Sequence, residues 1–138
     1  MALTLSNEIP PEDQFWELFQ STGWNDNYRL SAAELIKALR GSWYILTVYD
    51  DGRLVGFGRL VSDGVLHAMI YELIVAPAYQ NQGLGSEILA RLIGTCQEYR
   101  IRDIQLFCAR GKRTFYEKRG FLSRPEEAPG MQYTGPGL

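Results

Sequence analysis

Three β-type runs separated by two Asp-Gly turns most constrain the fold of this chain. The runs span residues 44–49, 53–62 and 65–75, and the turn sequences "DDG" and "SDG" lie between them. Asp-Gly suits the tightest β-hairpin turns, because both central residues of those turns need a positive φ. The pattern therefore predicts an antiparallel meander of three strands. Gly56 and Gly58, inside the second run, indicate a bulge or a close backbone approach.

Helical patterns lie on both sides of this meander. Pro10 and Pro11 precede a first helical run that Gly23 ends, and Ser31 with Glu34 forms a capping-box pattern for a second helix. After the meander the sequence predicts a helix over 83–99, a strand over 103–109, a helix over 112–119 and a last strand within 120–134. This order predicts an α+β fold with a mostly antiparallel sheet, in a single domain that spans residues 1–138.

Charge, hydropathy and cysteine usage exclude several classes of protein. The net charge of −2 argues against a polyanion such as DNA as the partner, so we expect no nucleic acid. No apolar run approaches the roughly 20 residues that cross a bilayer, and the N-terminus lacks a signal-peptide pattern. We therefore expect no membrane partner and a cytoplasmic location. Cys96 and Cys108 stand far apart, so we expect two reduced, buried thiols and no metal site.

The turn "QNQGLGSE" directly after the third run is the strongest functional signal. The first turn of a helix leaves backbone amides without partners, and the helix dipole adds positive charge there. Glycines let an anion approach the main chain closely. The turn therefore predicts a phosphate cradle made of backbone, with an ordinary tight turn as the structural alternative. It lacks the lysine of a P-loop and the third glycine of a dinucleotide-binding fingerprint.

Three motifs together resemble the GNAT N-acetyltransferase superfamily. Gln80-x-x-Gly83-x-Gly85, after a strand ending in Val75 and Pro77, resembles the acyl-CoA motif of that family. "FYEKRGF" (115–121) resembles its second signature, and "LVGFGRLVSDG" (54–64) resembles its central hairpin. The resemblance implies the GNAT fold, a mixed and mostly antiparallel sheet flanked by helices. In that fold a splayed pair of strands opens the slot for acyl-CoA.

The resemblance also implies a co-substrate, acetyl-CoA, and the residues that would hold it. Main-chain groups of Leu73, Ile74 and Val75 would meet the pantetheine arm as an added strand. The turn would hold the diphosphate through its backbone, with contributions from Gln80, Asn81, Gln82, Gly83, Leu84, Gly85 and Ser86. No metal is implied.

Acetyl transfer to an amine needs a proton acceptor for the ammonium and a proton for the departing thiolate. The family resemblance gives Tyr116 the second role, and a core aromatic beside Phe115 is its structural alternative. Glu72 lies in an apolar run, so it must be paired or functional. Strand alternation places Glu72 on the face opposite Tyr71 unless a bulge turns it. Glu72, His67 and a water chain all remain candidates for the base.

The acceptor pocket is expected under a lid at residues 21–31. Trp24, Tyr28 and Tyr71 are candidates for lining it, and ordinary loop residues with one packed tryptophan are the alternative. The implied activity is transfer of acetyl to a primary amine of a small molecule. A protein or peptide acetyltransferase and a non-catalytic acyl-CoA sensor are the alternatives. Homodimers are common in the family, so we also expect one here.

Overall fold

The computed structural model describes residues 2–135 and contains one five-stranded sheet with helices packed against it. The elements in chain order are β1 (Leu3–Ser6), α1 (Glu12–Gln20), α2 (Asn25–Tyr28), α3 (Ala32–Leu39), β2 (Tyr44–Asp50), β3 (Arg53–Ser62), β4 (His67–Val75), a 3₁₀ turn (Pro77–Tyr79), α4 (Leu84–Glu98), β5 (Asp103–Leu106) and α5 (Arg113–Glu117). The strands lie in the order β1-β2-β3-β4-β5, and only the β4–β5 pair is parallel. This arrangement confirms the predicted α+β fold with a mixed, mostly antiparallel sheet.

The backbone forms two compact units, of which the first ends at Phe107 and the second begins at Cys108. The first unit contains the whole sheet and helices α1 to α4, and the second contains α5. The strand predicted within 120–134 is wrong, because no strand follows β5 in the described part of the chain. Pro125 and Pro129 lack the amide that a strand ladder needs.

Two faces of β3 receive different helices. Phe57 packs against Phe15 of α1, with 4.8 Å between ring centroids. On the other face, a Cβ at Gly56 would lie 2.9 Å from Ile88, and one at Gly58 would lie 2.9 Å from Leu92. These two glycines therefore let α4 pack directly on the sheet, as the predicted close backbone approach requires.

A β-bulge interrupts the pairing of β3 with β4. Phe57 pairs with Ile74 and Arg59 pairs with Tyr71, so Gly58 faces two residues, Glu72 and Leu73. Glu72 has a φ of 47°, in the left-handed region that glutamate rarely adopts. The bulge bends the strand at the point where its last residues approach the glycine turn.

The pairing of β4 with β5 stops at Ile70, just before the bulge. The two strands pair only from His67 to Ile70, against Asp103 to Leu106. Residues 71–75 of β4 have no strand partner on that side within residues 2–135. β4 therefore continues past the end of β5 at Leu106, and its main-chain groups are open along one edge, as the predicted acyl-CoA slot requires.

Candidate active site

The glycine turn joins the end of β4 to α4. Gly83 has a φ of 87° and caps the helix, and Asn81 has a φ of 63°. The backbone amides of residues 81–85 donate to no acceptor within the described chain. Buried Leu84 fixes the start of α4 against the core. The turn therefore presents free amides at the positive end of a helix that is fifteen residues long.

The side chains of the turn leave those amides accessible. Gln80 Nε2 donates to the Val75 carbonyl at 3.0 Å, and Gln82 Nε2 donates to the Ala78 carbonyl at 3.3 Å. Both glutamines thus fold back toward the chain that precedes them. A Cβ built on Gly83 would meet no atom within 4 Å, so the space in front of this residue is open. The turn fits a diphosphate group, because amide donors and open space occur together there.

A second cluster surrounds the guanidinium of Arg59. Its Nε donates to Glu72 Oε1 at 2.5 Å, and its Nη1 donates to Ser42 Oγ at 3.2 Å and to the Ala38 carbonyl at 3.3 Å. The same guanidinium lies 5.6 Å from the ring centroid of Tyr71. The side chains of Arg59 and Glu72 are 14% and 23% exposed. The cluster therefore holds a mostly buried carboxylate beside the open edge of β4.

Strict alternation along β4 gave the wrong position for Glu72. Tyr71 and Glu72 are neighbours in sequence, yet both approach the guanidinium of Arg59. The extra residue of the bulge and the left-handed backbone at Glu72 turn its side chain to this face. Arg59 was not predicted from the sequence, because a residue that lies beside a bulge can be recognised only when the strand register is known.

The other candidate base lies at the far end of β4. His67 Nδ1 is 3.1 Å from Asp103 Oδ2, and both side chains are exposed. Gln105 donates to the same carboxylate oxygen. His67 shares no hydrogen bond with Glu72 in the described residues, so the two candidates belong to different hydrogen-bonded clusters.

The lid residues are not part of the Arg59 cluster. The Trp24 ring packs edge-on against Phe19 with centroids 6.0 Å apart, and Tyr28 is 65% exposed. Neither residue shares a hydrogen bond or ring contact with Arg59, Tyr71 or Glu72 within residues 2–135. The role of Asn25 was not predicted from the sequence. Its buried side-chain amide donates to Gln20 Oε1 and to the Leu30 carbonyl and accepts from the Leu30 amide, and these bonds hold the lid in its fold.

Tyr116 belongs to the second compact unit, where its ring packs against two phenylalanines. The centroid distances are 5.1 Å to Phe115 and 5.8 Å to Phe121. Burial, followed by the nearby thiol of Cys108, raises the pKa of the Tyr116 hydroxyl above its usual value. The phenol therefore keeps its proton at neutral pH.

Cys108 is exposed, so the expectation that both cysteines are buried is wrong for this one.

Comparison with known proteins identifies the family. Residues 8–121 match the model of the Acetyltransferase (GNAT) family. The chain belongs to this family. The histone acetyltransferase TAP1 of Glycine max is 31% identical over 125 residues, which cover 83% of this chain and 53% of that relative. GCN5-related N-acetyltransferase 1, chloroplastic, of Arabidopsis thaliana is 33% identical and covers 88% of this chain and 61% of that relative.

Solved structures confirm that the fold is that of GNAT acetyltransferases. A GNAT-family acetyltransferase of Streptococcus pneumoniae superposes with a TM-score of 0.80 at 26% identity, over 99% of this chain and all of the other. The chain spans about half the length of the Glycine max relative. No helix within residues 2–135 combines the length and apolarity needed to cross a bilayer.

Proposed function

We propose that this GNAT chain is an N-acetyltransferase that uses acetyl-CoA and acetylates a primary amine of a small molecule. The observation that carries the proposal is the row of unpartnered amides over residues 81–85, at the N-terminus of α4. Such a row binds phosphate oxygens without any basic side chain. When bound, acetyl-CoA supplies an acetyl group activated as a thioester.

Two parts of the first unit would hold this co-substrate. The turn from Gln80 to Ser86 would bind the diphosphate through its backbone, and Gly83 leaves room for the phosphate oxygens. Leu73, Ile74 and Val75 lie on the edge of β4 that β5 leaves unpaired. Their main-chain groups would pair with the amides of the pantetheine arm, as an added strand does.

Side chains of this chain would move the protons. Glu72 accepts a proton from the ammonium, directly or through water, because Oε2 makes no hydrogen bond within residues 2–135. Arg59 holds the other oxygen and keeps the carboxylate oriented. Tyr116 carries a proton at neutral pH and donates it to the departing thiolate. His67 and a water chain remain the alternative acceptors.

The burial of the Arg59 cluster supports a small acceptor. Glu72 and Arg59 are mostly buried, so an amine that reaches Glu72 has to enter a confined space. Tyr71 would line this space, and Trp24 and Tyr28 would approach it from the lid. A protein acceptor is the second candidate, because the Glycine max relative is named a histone acetyltransferase.

Calorimetric titration with CoA, followed by a thiol-release assay, tests the proposal. The acceptors to be compared are small primary amines, lysine-containing peptides and histone-tail peptides. We expect saturable binding of CoA and release of thiol with at least one small amine. Release with peptides alone would support the second candidate, and binding of CoA without release would support a sensor. Absence of CoA binding would refute the proposal.

The remaining expectations also stay predictions. We propose a homodimer, which light scattering on the purified chain measures directly. We also propose a cytoplasmic location, although two of the relatives are named chloroplastic. Fluorescence microscopy of the tagged protein in its own cells distinguishes the two compartments.

A further inference from the structure

The 3₁₀ turn that leads into the glycine turn is tied to the β2–β3 hairpin by one side-chain hydrogen bond. The Tyr79 hydroxyl donates to Asp50 Oδ2. Tyr79 ends the 3₁₀ turn, and Asp50 ends β2. The two residues are 29 positions apart, so the bond joins distant parts of the chain. Tyr79 also borders a shallow cleft together with Gln82 and Gly83 of the glycine turn.

Asp50 lies at the end of β2, beside a hairpin turn that several contacts hold in place. Asp51 and Gly52 have φ values of 49° and 82°, which are the two positive values that the tightest hairpin turns require. Gln14 of α1 clamps this turn from outside, since it accepts from the Leu54 amide at 2.6 Å and donates to the Gly52 carbonyl at 3.0 Å. Asp50 also pairs with β1 through Leu3. The carboxylate is therefore held by β1, β3 and α1 together.

The glycine turn makes few hydrogen bonds to the rest of the first unit. The bond from the Gln80 amide to the Pro77 carbonyl is long, at 3.4 Å, and the five amides that follow are unpartnered. The side-chain bonds of Gln80 and Gln82 reach only Val75 and Ala78, which belong to the same stretch of chain. One end of the turn is anchored by buried Leu84. The other end follows Tyr79, the last residue of the 3₁₀ turn.

We propose that Tyr79 and Asp50 are positioning residues for the diphosphate cradle. The hydrogen bond between them fixes the 3₁₀ turn on the hairpin and so orients the amides of residues 81–85 before the ligand arrives. A ligand that must order a loose turn binds more weakly, because part of its interaction free energy is spent on that ordering. The proposal rests on the proposed function, since it presupposes that the cradle binds CoA.

Conservative substitutions test it. Tyr79→Phe removes only the hydroxyl, and Asp50→Asn removes only the charge. We expect Tyr79→Phe to raise the Kd for CoA about tenfold, which is the size of effect that a lost hydrogen bond to a charged group produces. Asp50→Asn should raise the Kd less, because the Oδ1 atom of asparagine still accepts from the hydroxyl and only the charge is lost. The double substitution should raise the Kd no further than Tyr79→Phe alone, because both substitutions act through the same bond. Tyr49→Phe and Asp51→Asn are matched controls on neighbouring residues, and we expect Kd values within about twofold of the unsubstituted protein.

Backbone ¹⁵N relaxation in the ligand-free protein separates positioning from general loosening. We expect lower order parameters at residues 81–86 in Tyr79→Phe, and unchanged values at residues 88–96 in the middle of α4. Equal Kd values for Tyr79→Phe and Tyr49→Phe, with CoA bound normally, would overturn the inference. A loss of order along all of α4 would overturn it as well. If the unsubstituted protein bound no CoA, the proposed function would fail first, whatever the relaxation data showed.

Discussion

Arg59 and Glu72 join β3 to β4 across the β-bulge, with 2.5 Å between Nε and Oε1. Glu72 owes its position to a left-handed backbone that an ordinary strand does not contain. Such a conformation costs about 1–3 kcal/mol in a residue other than glycine, so surrounding contacts must maintain it. Arg59 supplies those contacts through Glu72, Ser42 and the Ala38 carbonyl. The same pair would orient the carboxylate that we propose as the base.

The first prediction concerns the stability that this pair provides. Arg59→Met should lower the free energy of unfolding by about 2 kcal/mol, because it leaves a mostly buried carboxylate without its cation. Urea denaturation measures the change. The double variant with Glu72→Gln should be more stable than the sum of the single effects predicts. Glu117→Gln is the control, since its exposed pair with Arg113 should contribute at most about 0.5 kcal/mol. Additive single effects would show that Arg59 and Glu72 are not coupled.

The second prediction tests the diphosphate cradle with two substitutions that differ only in charge. Gly83 has a positive φ, which asparagine and aspartate tolerate better than other residues, and a Cβ there meets open space. Both variants should therefore fold. Gly83→Asn should retain CoA binding, whereas Gly83→Asp should weaken it by roughly 100-fold or more, because like charges in contact cost several kcal/mol.

Calorimetry measures both Gly83 affinities. Gly94→Asp is the control for added charge, because Gly94 lies on the same helix and also faces open space. We expect that variant to bind CoA like the unsubstituted protein. Similar affinities for Gly83→Asn and Gly83→Asp would mean that no phosphate lies at this turn.

Local signals in the sequence were sufficient for the framework of the fold. The capping box of Ser31 and Glu34 is present as predicted, and the Asp-Gly hairpin and Gly83 adopt the positive φ values that their turns require. Each of these features involves residues within a few positions of one another. The chemistry of such a short segment fixes its backbone, so the sequence alone predicts it.

Features that depend on distant residues could not be predicted. The bonds from Tyr79 to Asp50 and from Arg59 to Glu72 span 29 and 13 positions, and neither partner has a distinctive neighbourhood in the sequence. The short elements β1 and α2 were missed because tertiary contacts decide them, such as the pairing of β1 with β2. The left-handed backbone of Glu72 could not be predicted either, because glycine and asparagine are the residues that usually indicate this conformation.

The third prediction distinguishes the two thiols. Cys96 is fully buried in α4, and its burial raises the pKa of its thiol, whereas Cys108 is exposed. A disulfide reagent should therefore titrate one thiol quickly in the native protein at neutral pH and two after denaturation. Cys108→Ser should abolish the fast reaction, and Cys96→Ser should leave it unchanged. A fast reaction that survives Cys108→Ser would contradict the placement of Cys96 in the core.

The fourth prediction concerns the ionisation of Tyr116. Burial raises the pKa of this phenol above its usual value of about 10. Burial favours the neutral form, so its contribution to stability is complete below that pH and is lost as pH rises through the folded-state pKa. Difference spectra between the unsubstituted protein and Tyr116→Phe should show one phenol that ionises only above about pH 10. A phenol that ionised earlier would contradict the buried environment.

The same variant tests the proposed acid role. Tyr116→Phe should lower kcat by roughly 10²–10⁴, the range typical of general acid–base catalysis, with little change in CoA affinity. Tyr133→Phe, at an exposed tyrosine of the same compact unit, should leave kcat unchanged. Single-turnover measurements establish whether acetyl transfer limits the rate. If chemistry is limiting and Tyr116→Phe turns over like Tyr133→Phe, then Tyr116 is a packing residue between Phe115 and Phe121, and the thiolate obtains its proton from solvent.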